Sequence, residues 1–209
     1  MTHQRTSIFR LMLGTVVALL GFAFAGQAIA QANEARAQRL HSSNCFICHG
    51  MSGESTSEVF PRLAGQNAEY VASQLAAFAS GQRPSTAMAD IARRLTPDEM
   101  LGLGRLYQQM EPPRESARDP ALAAVGHFIH QHGNRFSGVP ACASCHGADA
   151  RGRSNLPRLA NQFPGYLLAQ LQKYKERART DENQVMHMIA SRMTELEMVA
   201  VAEYLSSKP

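Results

Sequence analysis

The sequence predicts an all-α protein in which one small helical domain is used twice. A long internal repeat divides the chain, helix-start signals recur at matching places in both halves, and no stretch of any length alternates apolar and polar residues as a strand would. The repeat is plain at Pro61-Arg62-Leu63-Ala64-Gly65-Gln66, which returns as Pro157-Arg158-Leu159-Ala160-Asn161-Gln162. It continues through Tyr70 with Tyr166, Gln74 with Gln170, Leu75 with Leu171, Phe78 with Tyr174 and Arg83 with Arg179. Met88 then matches Met186, Ile91-Ala92 matches Ile189-Ala190, and Thr96 matches Thr194. The offset drifts only between 96 and 98 residues, the mark of small loop insertions. A period near 97 is a domain, too long for a solenoid unit.

In chain order, residues 1–30 read as an export signal. Arg5 and Arg10 give a positive start, Leu11 to Ala25 is an uninterrupted apolar or small run, and Ala28-Ile29-Ala30 offers small residues to a signal peptidase. A membrane span needs about 20 apolar residues, so the run is short for one; a retained anchor is the alternative. The first domain is expected over 31–110. Ala68 to Ser80 carries helical periodicity, and Thr96-Pro97-Asp98-Glu99 is a helix start with proline in the first turn and a capping box. Residues 111–119 are polar and proline-punctuated, hence a linker. The second domain, 120–209, opens with a helix from Asp119-Pro120 to about His132, ended by Gly133. Pro164 to Lys175 is again helical, and Thr194 with Glu197 repeats the capping box. Each half is small for an unaided core, so neither is expected to fold stably without a bound apolar group.

The chemistry lies in Cys45-Phe46-Ile47-Cys48-His49 and Cys142-Ala143-Ser144-Cys145-His146, which use all four cysteines of the chain. Cys-X-X-Cys-His is the attachment spacing of a c-type haem: two sulfurs add to the vinyl groups and the adjacent imidazole meets the iron. Two copies imply two covalently bound haem c groups, held by Cys45, Cys48, Cys142 and Cys145. A thioredoxin-type couple expects a βαβ context that is missing here. Zinc wants four ligands; His41 and His132 are available as fourth members of the two sets, so counting alone leaves zinc open.

An iron held by His49 or His146 needs a partner on its other face. The repeat nominates Met88 and Met186, both in polar stretches expected just ahead of a helix. His187 and Met188 flank Met186 and compete with it. Met100 and Met198 fall inside expected helices and read as core. Pro61 and Pro157 are placed to turn a carbonyl onto the second ring nitrogen of His49 and His146, or are plain turn prolines. Arg62, Arg158, Arg83 and Arg179, with Tyr70 and Tyr166, suit either haem propionates or ordinary packing. His41, His127, His130 and His132 have no partner at the repeat offset and read as surface or packing histidines.

Without residues 1–30 the chain holds 19 basic and 17 acidic residues, too even a balance for nucleic-acid binding. The charge is lopsided: −1 from Gln31 to Glu115 and +3 from Ser116 to Pro209. Such asymmetry orients a protein as it meets a redox partner, although an ordinary solvated surface gives it too.

With its paired haem motifs, the Pro-Arg-Leu-Ala-X-Gln-X-X-X-Tyr-X-X-X-Gln-Leu segment in each half and the two late methionines, the chain resembles the dihaem cytochrome c4 family. The resemblance covers essentially all of it after residue 30. It implies two tandem class I cytochrome c domains related by a pseudo-twofold axis, with His49 and Met88 on one iron and His146 and Met186 on the other. It implies a periplasmic electron carrier rather than an enzyme, monomeric, and docking only transiently with a haem-copper oxidase, a cytochrome bc1-type complex or a dehydrogenase. Electron-accepting subunits of periplasmic dehydrogenases, including flavocytochromes, are similar too. A dihaem peroxidase or thiosulfate-oxidising cytochrome is the remaining alternative; it needs a labile iron site, against which the matched methionines argue. Two departures stand out: Phe46-Ile47 against Ala143-Ser144, and Leu106-Tyr107 against Tyr204-Leu205.

Overall fold

A computed structural model of the chain describes residues 31–180 and 183–208. The expected export signal, 1–30, lies outside them. Among the described residues the structure is helical, with only isolated bridges Asn134–Val139 and Arg153–Leu156. No described helix is long and apolar enough to cross a membrane.

The first half opens on α1, one rod over 31–49: regular over 31–40, π-helical at His41–Cys45, regular again at Phe46–His49. Gly50, at φ +82°, stops it. Then come α2 (Ala68–Ser80), the short α3 (Thr86–Ala92) and α4 (Pro97–Gln109). The Thr96–Glu99 capping box forms in full: Thr96 accepts from the Glu99 backbone and Glu99 accepts from the Thr96 backbone. Residues 111–119 hold no helix. The second half has α5 (Pro120–His132), α6 (Ala143–His146), α7 (Pro164–Lys175), α8 (Val185–Ala190) and α9 (Glu195–Ser206). Asp119 caps α5, and Thr194 with Glu197 forms the second capping box.

Corresponding helices pack alike. α2 lies on α4 and α3; α9 lies on α5 and α7, and α7 on α8. The first core gathers Val71, Leu75, Phe78, Met100, Leu103 and Tyr107. The second gathers Ile129, Leu167, Met198, Val201 and Leu205 where α9 meets α5 and α7. Two glycines let backbones touch, one where α4 crosses α2 and one where α5 crosses α9. A Cβ on Gly104 would stand 2.3 Å from the Ala68 carbonyl oxygen, and one on Gly126 only 1.9 Å from that of Ala200.

Two features depart from expectation. Met88 and Met186 lie within α3 and α8 rather than ahead of a helix, because Ser85 caps a short helix by accepting from the Met88 backbone, and Gln184, at φ +54°, starts the other. The halves also enter their haem motifs differently. α1 runs straight into Cys45, whereas α5 stops at Gly133 and a loop tied by the Asn134–Val139 bridge precedes α6.

Candidate haem-binding sites and the contact between domains

Each motif histidine ends a helical turn that also carries its two cysteines. His49 is buried, and its Nδ1–H donates to the Pro61 carbonyl at 2.9 Å; His146 does the same to Pro157 at 3.3 Å. A carbonyl only accepts, so Nδ1 carries the proton and the Nε2 lone pair is left for a metal. Burial lowers both imidazole pKa values, against the raising effect of the proline carbonyls, and so favours this neutral, ligating form. Cys45, Cys48 and Cys142 are half-buried and Cys145 is exposed; none is in a disulfide. Burial pushes the Cys142 thiol up to about 11 and raises that of Cys45 as well.

This donor set fits a covalently attached haem: two unpaired thiols and a neutral imidazole with an uncommitted Nε2, on one turn beside an apolar core. Met88 is half-buried against the first core, and Met186 is half-buried in α8. Zinc fits less well. Among the described residues, no three His, Cys, Asp or Glu side chains gather into a group that suits a metal ion. His41 is fully buried with both nitrogens engaged, Nε2 donating to the Met51 carbonyl at 2.9 Å and Nδ1 accepting from the Tyr107 hydroxyl at 3.0 Å. His132 is exposed beside Phe128.

The reading of His41 and His130 as unrelated histidines needs correction: they are counterparts. Both are 0% exposed, and the Nε2 of His130 reaches the Gly147 carbonyl at 3.1 Å, just past the second motif as Met51 is past the first. The repeat offset concealed this, since His41 precedes Cys45 by four residues and His130 precedes Cys142 by twelve. The extra residues form the loop after α5. The Tyr107 and Tyr204 departure has a structural sense too. The backbone carbonyls of Tyr107 and Leu205 play equal parts, accepting from Gly65 and Asn161 at 2.8 Å each. Tyr204 therefore approaches His130 from a neighbouring position, with ring centroids 5.4 Å apart. His127 is exposed.

The repeated arginines and tyrosines meet across the two halves. Arg83 donates to Gln74 of its own half and to Tyr166 and Gln170 of the other; Arg179 donates to Gln170 and, across the contact, to Tyr70 and Gln74. Arg62 lies over the Phe163 ring at 3.9 Å, donates to the Asn161 carbonyl and pairs with Glu115. Arg158 donates from its Nε to the Ala160 carbonyl.

The glutamines that close the Pro-Arg-Leu-Ala-X-Gln segment had no assigned role in the sequence. The Gln162 side chain pairs with the backbone of Arg62, accepting from its N–H and donating to its C=O, both at 2.9 Å. Gln66 does the same to Arg158, at 2.7 and 2.9 Å. Their identity in both halves was the available signal. The residue before each glutamine has φ +69° at Gly65 and +64° at Asn161, the left-handed region that glycine and asparagine tolerate best.

The family model for cytochrome c matches residues 130–208, within the second half. The chain is 37% identical over 179 residues to cytochrome c4 of Thiocapsa roseopersicina, covering 84% of this chain and 90% of that protein. It is 35% identical to a thiosulfate dehydrogenase electron acceptor of Thiomonas intermedia, covering 80% of each. Among solved structures, cytochrome c4 of Acidithiobacillus ferrooxidans superposes with a TM-score of 0.72 at 35% identity, over 79% of this chain and 99% of that one. The duplicated helical fold, the two haem motifs with carbonyl-bound histidines and relatives matched over most of their length place the chain in the dihaem cytochrome c4 family, whose members carry electrons on two covalently bound haem c groups.

Proposed function

We propose that the units 31–110 and 120–209 each hold one haem, through Cys45, Cys48, His49 and Met88 in the first and Cys142, Cys145, His146 and Met186 in the second, and that the protein shuttles single electrons in the periplasm. The haem supplies a one-electron iron couple; the chain fixes its ligands and keeps water away. The observation that carries the reading is the same arrangement made twice: a neutral, buried histidine held at Nδ1 by a proline carbonyl, with a half-buried methionine at the matching place in the repeat. His187 is a poor rival to Met186, because its Nδ1 donates to the Tyr174 carbonyl at 2.9 Å and its Nε2 accepts from Arg177 at 3.1 Å. Met188 is 52% exposed. A thioether together with an imidazole as ligands would favour ferrous iron and raise the potential.

The test is an absorption spectrum of the reduced protein with and without carbon monoxide. Two closed six-coordinate irons leave the spectrum unchanged by carbon monoxide. Ready binding overturns at least one methionine assignment and favours a dihaem enzyme.

A second reading concerns the donor. The similarity to a thiosulfate dehydrogenase electron acceptor favours a periplasmic dehydrogenase as the source of electrons, with a terminal oxidase or another carrier downstream. Its test is reduction of the ferric protein by such a dehydrogenase and its substrate. Reduction only by quinol-oxidising membranes would place it instead in the respiratory chain.

A further inference from the structure

We infer that each haem histidine is tuned from the opposite domain, by Gln162 for His49 and by Gln66 for His146. The inference rests on the ligation proposed above and adds two positioning residues to it.

The argument starts from a single peptide group. The Pro61 carbonyl oxygen that receives Nδ1–H of His49 belongs to the same planar amide as the Arg62 N–H. That N–H donates across the contact to Oε1 of Gln162. The second half repeats the arrangement, with the Pro157 carbonyl on His146 and the Arg158 N–H on Oε1 of Gln66. One amide thus joins the haem histidine of one domain to a buried side chain of the other, twice. Both glutamines are 5% exposed, and each also accepts from the backbone N–H of its following residue, Asn67 or Phe163, which fixes the side chain in place. The return bonds to the Arg62 and Arg158 carbonyls fix its amide orientation.

An amide whose N–H is hydrogen-bonded has a more negative oxygen, because hydrogen bonds in a chain polarise one another, more so in a low-dielectric interior. A more negative Pro61 oxygen pulls harder on the Nδ1 proton of His49 and makes Nε2 a stronger donor to its metal, the usual effect of a partner behind a ligating histidine. Stronger donation favours ferric over ferrous iron. Removing Gln162 therefore raises the potential of the first haem, and removing Gln66 raises that of the second. Simple loosening of the contact acts oppositely: water reaching a haem favours the more highly charged ferric state and lowers its potential.

The experiment is spectroelectrochemical titration of the full holoprotein and of Gln162→Met and Gln66→Met, with haem resonances assigned by NMR. The expected result is crossed. Gln162→Met shifts the first haem positive with the second unmoved, and Gln66→Met does the reverse. In the ferrous protein the His49 ring N–H resonance moves upfield in Gln162→Met and stays near its original position in Gln162→Glu, which keeps an oxygen acceptor for Arg62. Gln162→Leu, which also lacks the acceptor, carries the test if Gln162→Met does not fold. In the variants that lack the acceptor, shifts confined to the haem of the mutated domain, equal shifts in both, negative shifts, or an unmoved ring N–H overturn the inference. Failure of the ligation is separately visible as a spectrum without low-spin histidine–methionine character in the unmodified protein.

Discussion

Substituting Gly126 by alanine tests whether the crossing of α5 and α9 is set by backbone contact. In an isolated helix the change stabilises by about 1 kcal/mol, because glycine is the poorer helix former. Here the new Cβ would stand 1.9 Å from the Ala200 carbonyl oxygen, 2.5 Å from its carbon and 2.8 Å from Cβ of Tyr204. Ordinary contact begins near 3.4 Å, so the helices must part by more than 1 Å at their closest point. The obstacle is backbone and cannot rotate away. Overpacking of a core costs about 1–3 kcal/mol and sometimes more; with a rigid obstacle the upper part of that range applies, leaving a net loss of about 2 kcal/mol after the helix gain. For a domain of this size that lowers the melting midpoint by roughly 8–16 °C. Gly102→Ala is the matched control: it sits in α4, its added Cβ would meet Ala37 Cβ at 3.6 Å and the Asn33 carbonyl oxygen at 3.9 Å, both ordinary contacts, and it is expected to hold or raise stability. Thermal unfolding of the holoprotein, followed by far-UV circular dichroism, reads both. A Gly126→Ala protein as stable as its parent would refute the close approach and with it the register of α5 against α9.

Four further substitutions follow from polar groups. Burial pushes the Glu197 carboxyl up, but hydrogen bonds from Thr194, Asn134 and Ser137 outweigh it and hold the pKa below the usual carboxylate value. A depressed pKa stabilises the fold above the unfolded value of about 4.3 and loses that contribution as pH falls through the folded one. Glu197→Gln should therefore cost about 1.5–3 kcal/mol at pH 7, with the gap to the parent closing in acid denaturation below about pH 4. His41→Phe strands the Met51 carbonyl and the Tyr107 hydroxyl and should cost about 2 kcal/mol or more in denaturant unfolding, whereas His130→Phe loses one bond and also removes an Nδ1 that has no partner among the described residues, so it should cost less. Arg179→Met removes two cross-domain bonds, while Gln74 keeps Arg83 as a donor, so a loss of about 1–3 kcal/mol in domain coupling is expected. Calorimetry should then resolve two transitions where the parent shows more cooperative melting; an unaltered endotherm would refute the coupling.

The duplication, the capping boxes and the haem motifs were legible because each is local: a spacing, a cap or a turn residue reports its own conformation. Met88 and Met186 were legible as a matched pair for the same reason, though not as parts of helices, since α3 and α8 are too short for periodicity to register. His41 and His130 were hidden by the loop that separates α5 from α6, which breaks the offset while preserving the burial. The glutamines were hidden for a different cause. Their partners are backbone atoms about a hundred residues away, and a side chain that reads the backbone leaves no complementary residue type in the sequence.

That last point bears on why the two domains share one chain. The contact between them carries many polar bonds: glutamine on backbone, arginine on tyrosine and glutamine, asparagine on carbonyls. Both halves offer the glutamine and arginine bonds alike, as the two faces of a twofold dimer do, whereas Asn67 has Phe163 at its matching place. Contacts of this polarity between separate molecules tend to be small and transient. A covalent connection changes the balance, because a short linker keeps the second domain at a millimolar effective concentration. Residues 111–119 also join the contact directly, through Glu115 on Arg62, while the ring of Pro112 lies against Gly65. Docking by polar groups has a consequence that an apolar contact of equal strength would lack. Every bond in it orients a dipole, and two of those dipoles are the amides behind His49 and His146. A contact held by apolar packing alone would keep the domains together yet leave His49 and His146 indifferent to the neighbouring half; on the inference proposed above, this one makes the electronic character of each site depend on the other domain being in place.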